Sequence, residues 1–117
     1  MKFKLVIVMT QDELTDRAVE AARSNGATGC TVITSARGEG LTPQKTFLGL
    51  DLAGQRDMVL FLVEEHNSRG ILEAIAVACG FEEKPGAGVA FQIDIEDAIG
   101  LKGQIKSIMQ EISKEDL

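Results

Sequence analysis

Two glycine-rich stretches hold the residue types that can bind an anion. The first, Gly26 to Gly40 (GATGCTVITSARGEG), starts at a glycine able to end a helix, passes through an apolar, β-branched run and finishes in Arg37, Gly38, Glu39 and Gly40. A strand that ends in a glycine-rich charged turn presents backbone N–H groups and a guanidinium at its tip, the donors a phosphate or carboxylate needs. The second is Lys84 to Gly88 (KPGAG), where a lysine stands beside Gly86 and Gly88. Glycines there let the backbone approach a ligand closely, or take the positive φ that turns successive amides inward. Taken singly, Arg37 and Lys84 read as ordinary surface charge.

Covalent chemistry has little to work with. Nucleophilic catalysis needs a base beside a serine or cysteine, and His66 is the sole histidine. It stands in Glu64-Glu65-His66-Asn67 at the mouth of a helix, where it could titrate near neutral pH or join the two glutamates on a metal. One imidazole without a second histidine or a cysteine is a weak metal signal, so the plainer reading is a solvated histidine in a charged turn. Cys30 and Cys79 are too few and too far apart for a metal motif. Both read as reduced thiols used for core packing.

The elements that must position these residues follow from periodicity. Phe3 to Met9 reads as a strand with Phe3, Leu5, Ile7 and Met9 on one face and Val6 and Val8 on the other. Thr10-Gln11-Asp12-Glu13 fits a capping box, and Leu14, Ala18, Ala21 and Ala22 then recur at helical spacing up to the Asn25-Gly26 stop. Thr28 to Ser35 is a second strand. The twenty or so residues from Ala36 to Arg56 form a loop long enough to be functional or mobile. Within it, Thr46 to Leu50 is apolar and reads as an edge ribbon, a docking piece or a hairpin extension. Met58 to Val63 is apolar without alternation, a strand buried on both faces. Asn67 or Ser68 caps the next helix, with Leu72, Ile75, Ala76 and Cys79 as its stripe and Gly80 as its stop. Lys84 to Gly88 is a loop and Val89 to Ile95 a fourth strand. Ile105, Ile108, Met109 and Ile112 mark a C-terminal helix over 103–115.

The order is β-α-β-β-α-β plus a terminal helix, an α+β ferredoxin-like sandwich in a single domain over 1–117. Two helices cover one face of such a sheet, yet the strands are apolar on both. The second face therefore needs either the C-terminal helix or another subunit, and the width of four strands favours the subunit. A formal charge of −6 and the absence of a basic cluster exclude a nucleic-acid groove. No run of about eighteen apolar residues is present to insert in a membrane, and the first residues lead into a strand rather than a signal peptide, so a cytoplasmic protein is expected.

GCTVITSARGEG resembles the second strand and loop entry of the P-II signalling proteins, and KPGAGVAFQI, Lys84 to Ile93, resembles their second glycine loop and last core strand. The likeness runs from about Lys2 to Leu101, with the two motifs in the family's order. It implies a non-enzymatic regulator, a homotrimer with its sheets facing the threefold axis, and adenine nucleotides (AMP, ADP or ATP) held between subunits. By position it assigns ligand contacts to Thr31, to Arg37, Gly38, Glu39 and Gly40, and to Lys84, Gly86 and Gly88. No metal is expected. Ala87 and Val89 stand where the family usually has aspartate and lysine, and only Lys102 answers its arginine pair. Fewer cations favour AMP, ADP or another less charged ligand, since each phosphate charge must meet a donor or stay hydrated. The chain has no tyrosine, so it cannot be uridylylated on its loop as some relatives are. The resemblance further implies that the loop reports effector state to a target transporter or metabolic enzyme. Two readings from other classes stand beside it: a metal-handling protein or small enzyme using His66 with Glu64 and Glu65, and a constitutive interaction module.

Overall fold

The computed structural model describes residues 2–36, 46–47, 50–51, 55–102 and 109. Strand β1, Phe3–Gln11, leads through a 3-10 turn, Asp12–Leu14, into helix α1, Thr15–Ser24. Strand β2 spans Thr31–Ala36. The short strands β3, Thr46–Phe47, and β4, Leu50–Asp51, pair with each other as an antiparallel ribbon. Strand β5, Arg56–Glu64, runs into helix α2, Glu65–Cys79, and strand β6, Gly88–Asp94, follows the second glycine loop. The main sheet has the order β2-β5-β1-β6, antiparallel throughout, as the ferredoxin-like reading requires.

Both helices lie on one face of this sheet. Val6 and Val8 of β1 and Val59, Phe61 and Val63 of β5 meet Ala18 and Ala22 of α1 and Ile71, Ile75 and Cys79 of α2 in one core. The alanines let α1 sit close to the strands. The helices run antiparallel. The Cys79 thiol at the end of α2 reaches Leu14 O at the start of α1, and a Cβ on Gly26 just beyond α1 would stand 2.9 Å from the Asn67 amide in the first turn of α2.

The opposite face is the less covered one. Leu5, Ile7 and Met9 of β1 stand in register with Leu62, Leu60 and Met58 of β5 and with Ile93, Phe91 and Val89 of β6. All are half-buried or exposed, and Ile33 of β2 and Ile93 are 45% and 46% exposed. Met58 to Val63 is thus buried on its helix side alone, where burial on both faces was expected. Its lack of alternation makes the outer face of the sheet apolar as well.

Several element boundaries and caps differ from those expected. Thr10 is no helix cap: it continues β1, is fully buried and donates its hydroxyl to Ala87 O at 3.0 Å, while the turn that follows has no side-chain cap. Glu64, rather than Asn67 or Ser68, caps α2 by accepting from His66 N at 2.8 Å, and Ser68 donates to Glu65 O. Strand β2 starts at Thr31, so Cys30 lies before it and is exposed instead of packed in a core. Gly88 belongs to β6, not to the loop. Lys102 and Met109 have helical backbone, and the rest of the expected C-terminal helix lies outside the described residues.

Candidate ligand-binding site

The loops that carry the candidate residues leave the sheet at the same end. Across that end Ala36 stands opposite Arg56, Arg56 stands opposite Gln11, and Gln11 N–H donates to Ala87 O at 3.2 Å. Ala36 opens the long segment and Ala87 closes the second glycine loop. They occupy the two outer strands, however, and three strand spacings separate them, roughly 14 Å. Thr31 is exposed on the β2 edge, whereas Lys84, Gly86 and Gly88 gather at the β6 edge. The fold therefore brings Lys84, Gly86 and Gly88 together and holds Thr31 apart from them. Arg37, Gly38, Glu39 and Gly40 lie outside the described residues.

The second glycine loop is built from the end of α2. Gly80 takes φ +68 and donates its N–H to Ala76 O and Val77 O, ending the helix in the left-handed conformation that a glycine adopts without strain. Its carbonyl accepts from Lys84 N at 2.9 Å, which folds Lys84 back so that its methylenes pack over Gly80. Gly86 has φ +81. Ala87 N–H donates to Lys84 O at 3.1 Å, and its methyl group is buried in the core. Where the family usually carries an aspartate, this chain thus has a core residue.

Gly88 has a different reason to be glycine. A Cβ there would come within 2.6 Å of the Phe81 ring and 2.7 Å of Met9 O. Its pairing with Thr10 is of the non-hydrogen-bonded kind, because the bonded pairs on either side of it in the alternation include Gln11 with Ala87. The Gly88 N–H therefore points away from β1, toward the outer edge of β6.

Three residues that the sequence reading passed over stand in this end of the sheet. Gln11 donates its side-chain amide to Gly86 O at 3.2 Å. Arg56 is only 6% exposed; Nη1 donates to Gln55 O, and Nε is buried with no hydrogen-bond partner among the described residues. By strand alternation it belongs to the face away from the helices. Asp57, on the helix side, is buried and accepts from the Thr15 hydroxyl at 2.6 Å, tying α1 to the start of β5. The legible signal was the pair Arg56-Asp57 directly before an apolar strand: charges at a strand mouth need partners if they are buried.

The sequence profile described as nitrogen regulatory protein P-II matches residues 3–104. The chain belongs to the P-II family. No curated protein matches it. Among solved structures it is similar to a PII-like signalling protein from Thermus thermophilus, with 26% identity over 81% of this chain and 88% of that one and a TM-score of 0.60. It shares its fold with CPII from Thiomonas intermedia bound to ADP, AMP and acetate, at 19% identity, 84% and 90% coverage and a TM-score of 0.65. CPII bound to ADP, AMP and bicarbonate gives 20% identity, 81% and 87% coverage and a TM-score of 0.63. These structures share the P-II fold.

In this P-II chain the His66 cluster has a structural use. Both oxygens of the buried Glu64 carboxylate are engaged, one by His66 N and the other by His66 Nδ1 at 2.7 Å. That hydrogen bond and the negative charge raise the His66 pKa above its ordinary value. Among the described residues no three His, Cys, Asp or Glu side chains converge to hold a metal. Burial raises the Cys79 pKa and keeps it a thiol. No helix among the described residues is long and apolar enough to cross a membrane.

Proposed function

We propose that this P-II protein is a non-enzymatic cytoplasmic regulator, a homotrimer that binds an adenine nucleotide between subunits and reports it to a target transporter or metabolic enzyme through the segment between β2 and β5. The observation that carries the reading is the division of the candidate residues between opposite edges of one sheet. Thr31 and the approach to Arg37 are on the β2 edge, and Lys84, Gly86 and Gly88 are on the β6 edge. A ligand clasped by both sets is reached when the β2 edge of one subunit meets the β6 edge of the next. The apolar outer face supplies the area for that assembly. The ADP and AMP named with CPII support the nucleotide class.

Within the cleft, Gly88 N–H and the amides around Gly38 and Gly40 would hold phosphate oxygens, with Arg37, Arg56 and Lys84 as the cations and Thr31 beside the base. Arg56 suits an anion because its buried Nε, without a partner among the described residues, would gain one when a negative group arrives. The cation set fits AMP or ADP better than ATP.

Calorimetric titration with AMP, ADP and ATP tests the reading. Wild-type protein binds AMP or ADP, and Arg37→Ala weakens binding by about tenfold to a hundredfold, the equivalent of losing a charge-assisted hydrogen bond of ~1.5 to 3 kcal/mol. Wild-type protein that binds none of the three overturns the nucleotide assignment.

A further inference from the structure

We propose that Gln11 is a positioning residue that fixes the second glycine loop and ties it to the far foot of the segment between β2 and β5. Its functional meaning rests on the ligand-binding reading above, while the tie itself is a property of the protein without ligand. The core-facing residues of β1 end at Thr10, and Gln11 extends the strand by one residue beyond them. That one residue makes two contacts to the loop. Its N–H holds Ala87 O and its side-chain amide holds Gly86 O, each at 3.2 Å.

Two successive carbonyls are thereby turned toward β1. In a trans peptide the carbonyl and the following N–H point in opposite directions. Holding Gly86 O and Ala87 O against β1 directs the Ala87 N–H to Lys84 O and the Gly88 N–H to the open edge. Gln11, together with the Thr10 hydroxyl that also holds Ala87 O, thus sets where the loop's donors face, and it does so through carbonyls, leaving those donors free of its own side chain.

The same short stretch reaches the other loop. Gln11 stands opposite Arg56, and the next N–H, that of Asp12, donates to Gln55 O at 3.3 Å. The Gln55 side chain accepts from the Ser35 hydroxyl at 3.1 Å. Ser35 has φ +59, and the register between β2 and β5 shifts by one residue there, so this position is held in a conformation that costs a non-glycine residue free energy. Contacts therefore run without a gap from Gly86 through Gln11, Asp12 and Gln55 to Ser35. Displacing the loop at one end loosens the other.

Gln11→Met tests this, since methionine keeps the length and shape of glutamine and removes its donor. Amide hydrogen exchange, compared in nucleotide-free wild type and variant, reads the loop at Ala87 N–H and the far foot at Asp12 N–H. Both exchange about fivefold to tenfold faster in the variant, the size of one net hydrogen bond, while the thermal midpoint moves little. AMP, where wild type binds it, binds the variant more weakly by a similar factor. Unchanged exchange at Ala87 overturns the positioning role, and faster exchange at Ala87 with unchanged exchange at Asp12 overturns the tie. Equal AMP affinity of the two proteins also overturns the inference and leaves the nucleotide reading standing. If wild type binds no nucleotide, that reading fails by itself, and the exchange rates still decide the role of Gln11.

Discussion

At Gly88 one residue type can be read in two ways. A glycine in a loop that cradles a phosphate and a glycine pressed against an aromatic ring look the same in a sequence. Here the ring of Phe81 and the backbone of Met9 leave no room for a Cβ. Gly88→Val therefore destabilises the fold, by about 1 to 3 kcal/mol as overpacking does, and urea denaturation shows it before any binding experiment. A midpoint equal to wild type would place Gly88 in open space. His66 makes the complementary case. Its pKa is raised in the folded protein by the hydrogen bond to Glu64, so the pair stabilises the protein fully below the ordinary histidine range. That contribution is lost as pH rises through the raised folded value. Thermal midpoints of wild type and His66→Ala should therefore differ at mildly acidic pH and converge toward alkaline pH. A constant difference across that range would remove Glu64 as the cause.

The elements were legible where apolar residues recur with a clear period. Leu14, Ala18 and Ala22 announced α1, and Gly80 announced the end of α2. The caps were not legible, because they depend on which side chain reaches which backbone group. Thr10 has the type and spacing of a capping residue, but the register of β1 with β6 places its hydroxyl against Ala87 O first. Glu64 caps α2 from a strand end, a position in which a carboxylate is hard to distinguish from surface charge. Of the candidate site, the second glycine loop was visible from composition, while Arg37 to Gly40 lie outside the described residues. Gln11 was hidden inside an apparent capping box, and Arg56 had only the neighbouring Asp57 before an apolar strand as a sign of burial: their roles come from standing opposite one another across a pair of strands. The bulge at Ser35 escaped for the same reason, as a positive φ at a serine has no composition signal.

On the scale of the whole molecule the sheet is finished on one side. Ile7 and Leu60 stand opposite each other on the outer face of the two central strands, surrounded by Leu5, Met9, Met58 and Leu62. Light scattering at micromolar concentration should report a trimer. Leu60→Asp, which places a charge in the middle of that face, should yield a species near the 12.6 kDa of one chain. A wild-type protein that is itself a monomer would remove the cleft between subunits and with it the proposed ligand site. If wild type and variant are both trimers, the assembly uses another surface. The expectation of a partner was read from the strands alone, because Phe3 to Met9 is apolar on both faces and two helices cover only one.

The antiparallel helices have an electrical consequence for the end of the sheet where the loops emerge. The start of α1 and the close of α2 both lie there, and a helix carries a partial positive charge at its start and a partial negative one at its close, each about half a unit. The two contributions oppose one another, so the scaffold gives that end little field of its own. The field there is then set by individual side chains, among them Arg56 and Lys84, and under the proposed function they would set the sign and strength of attraction for the effector. A single substitution can alter which charge state is welcome without disturbing any packed element, and one backbone can in this way be adapted to effectors of different charge.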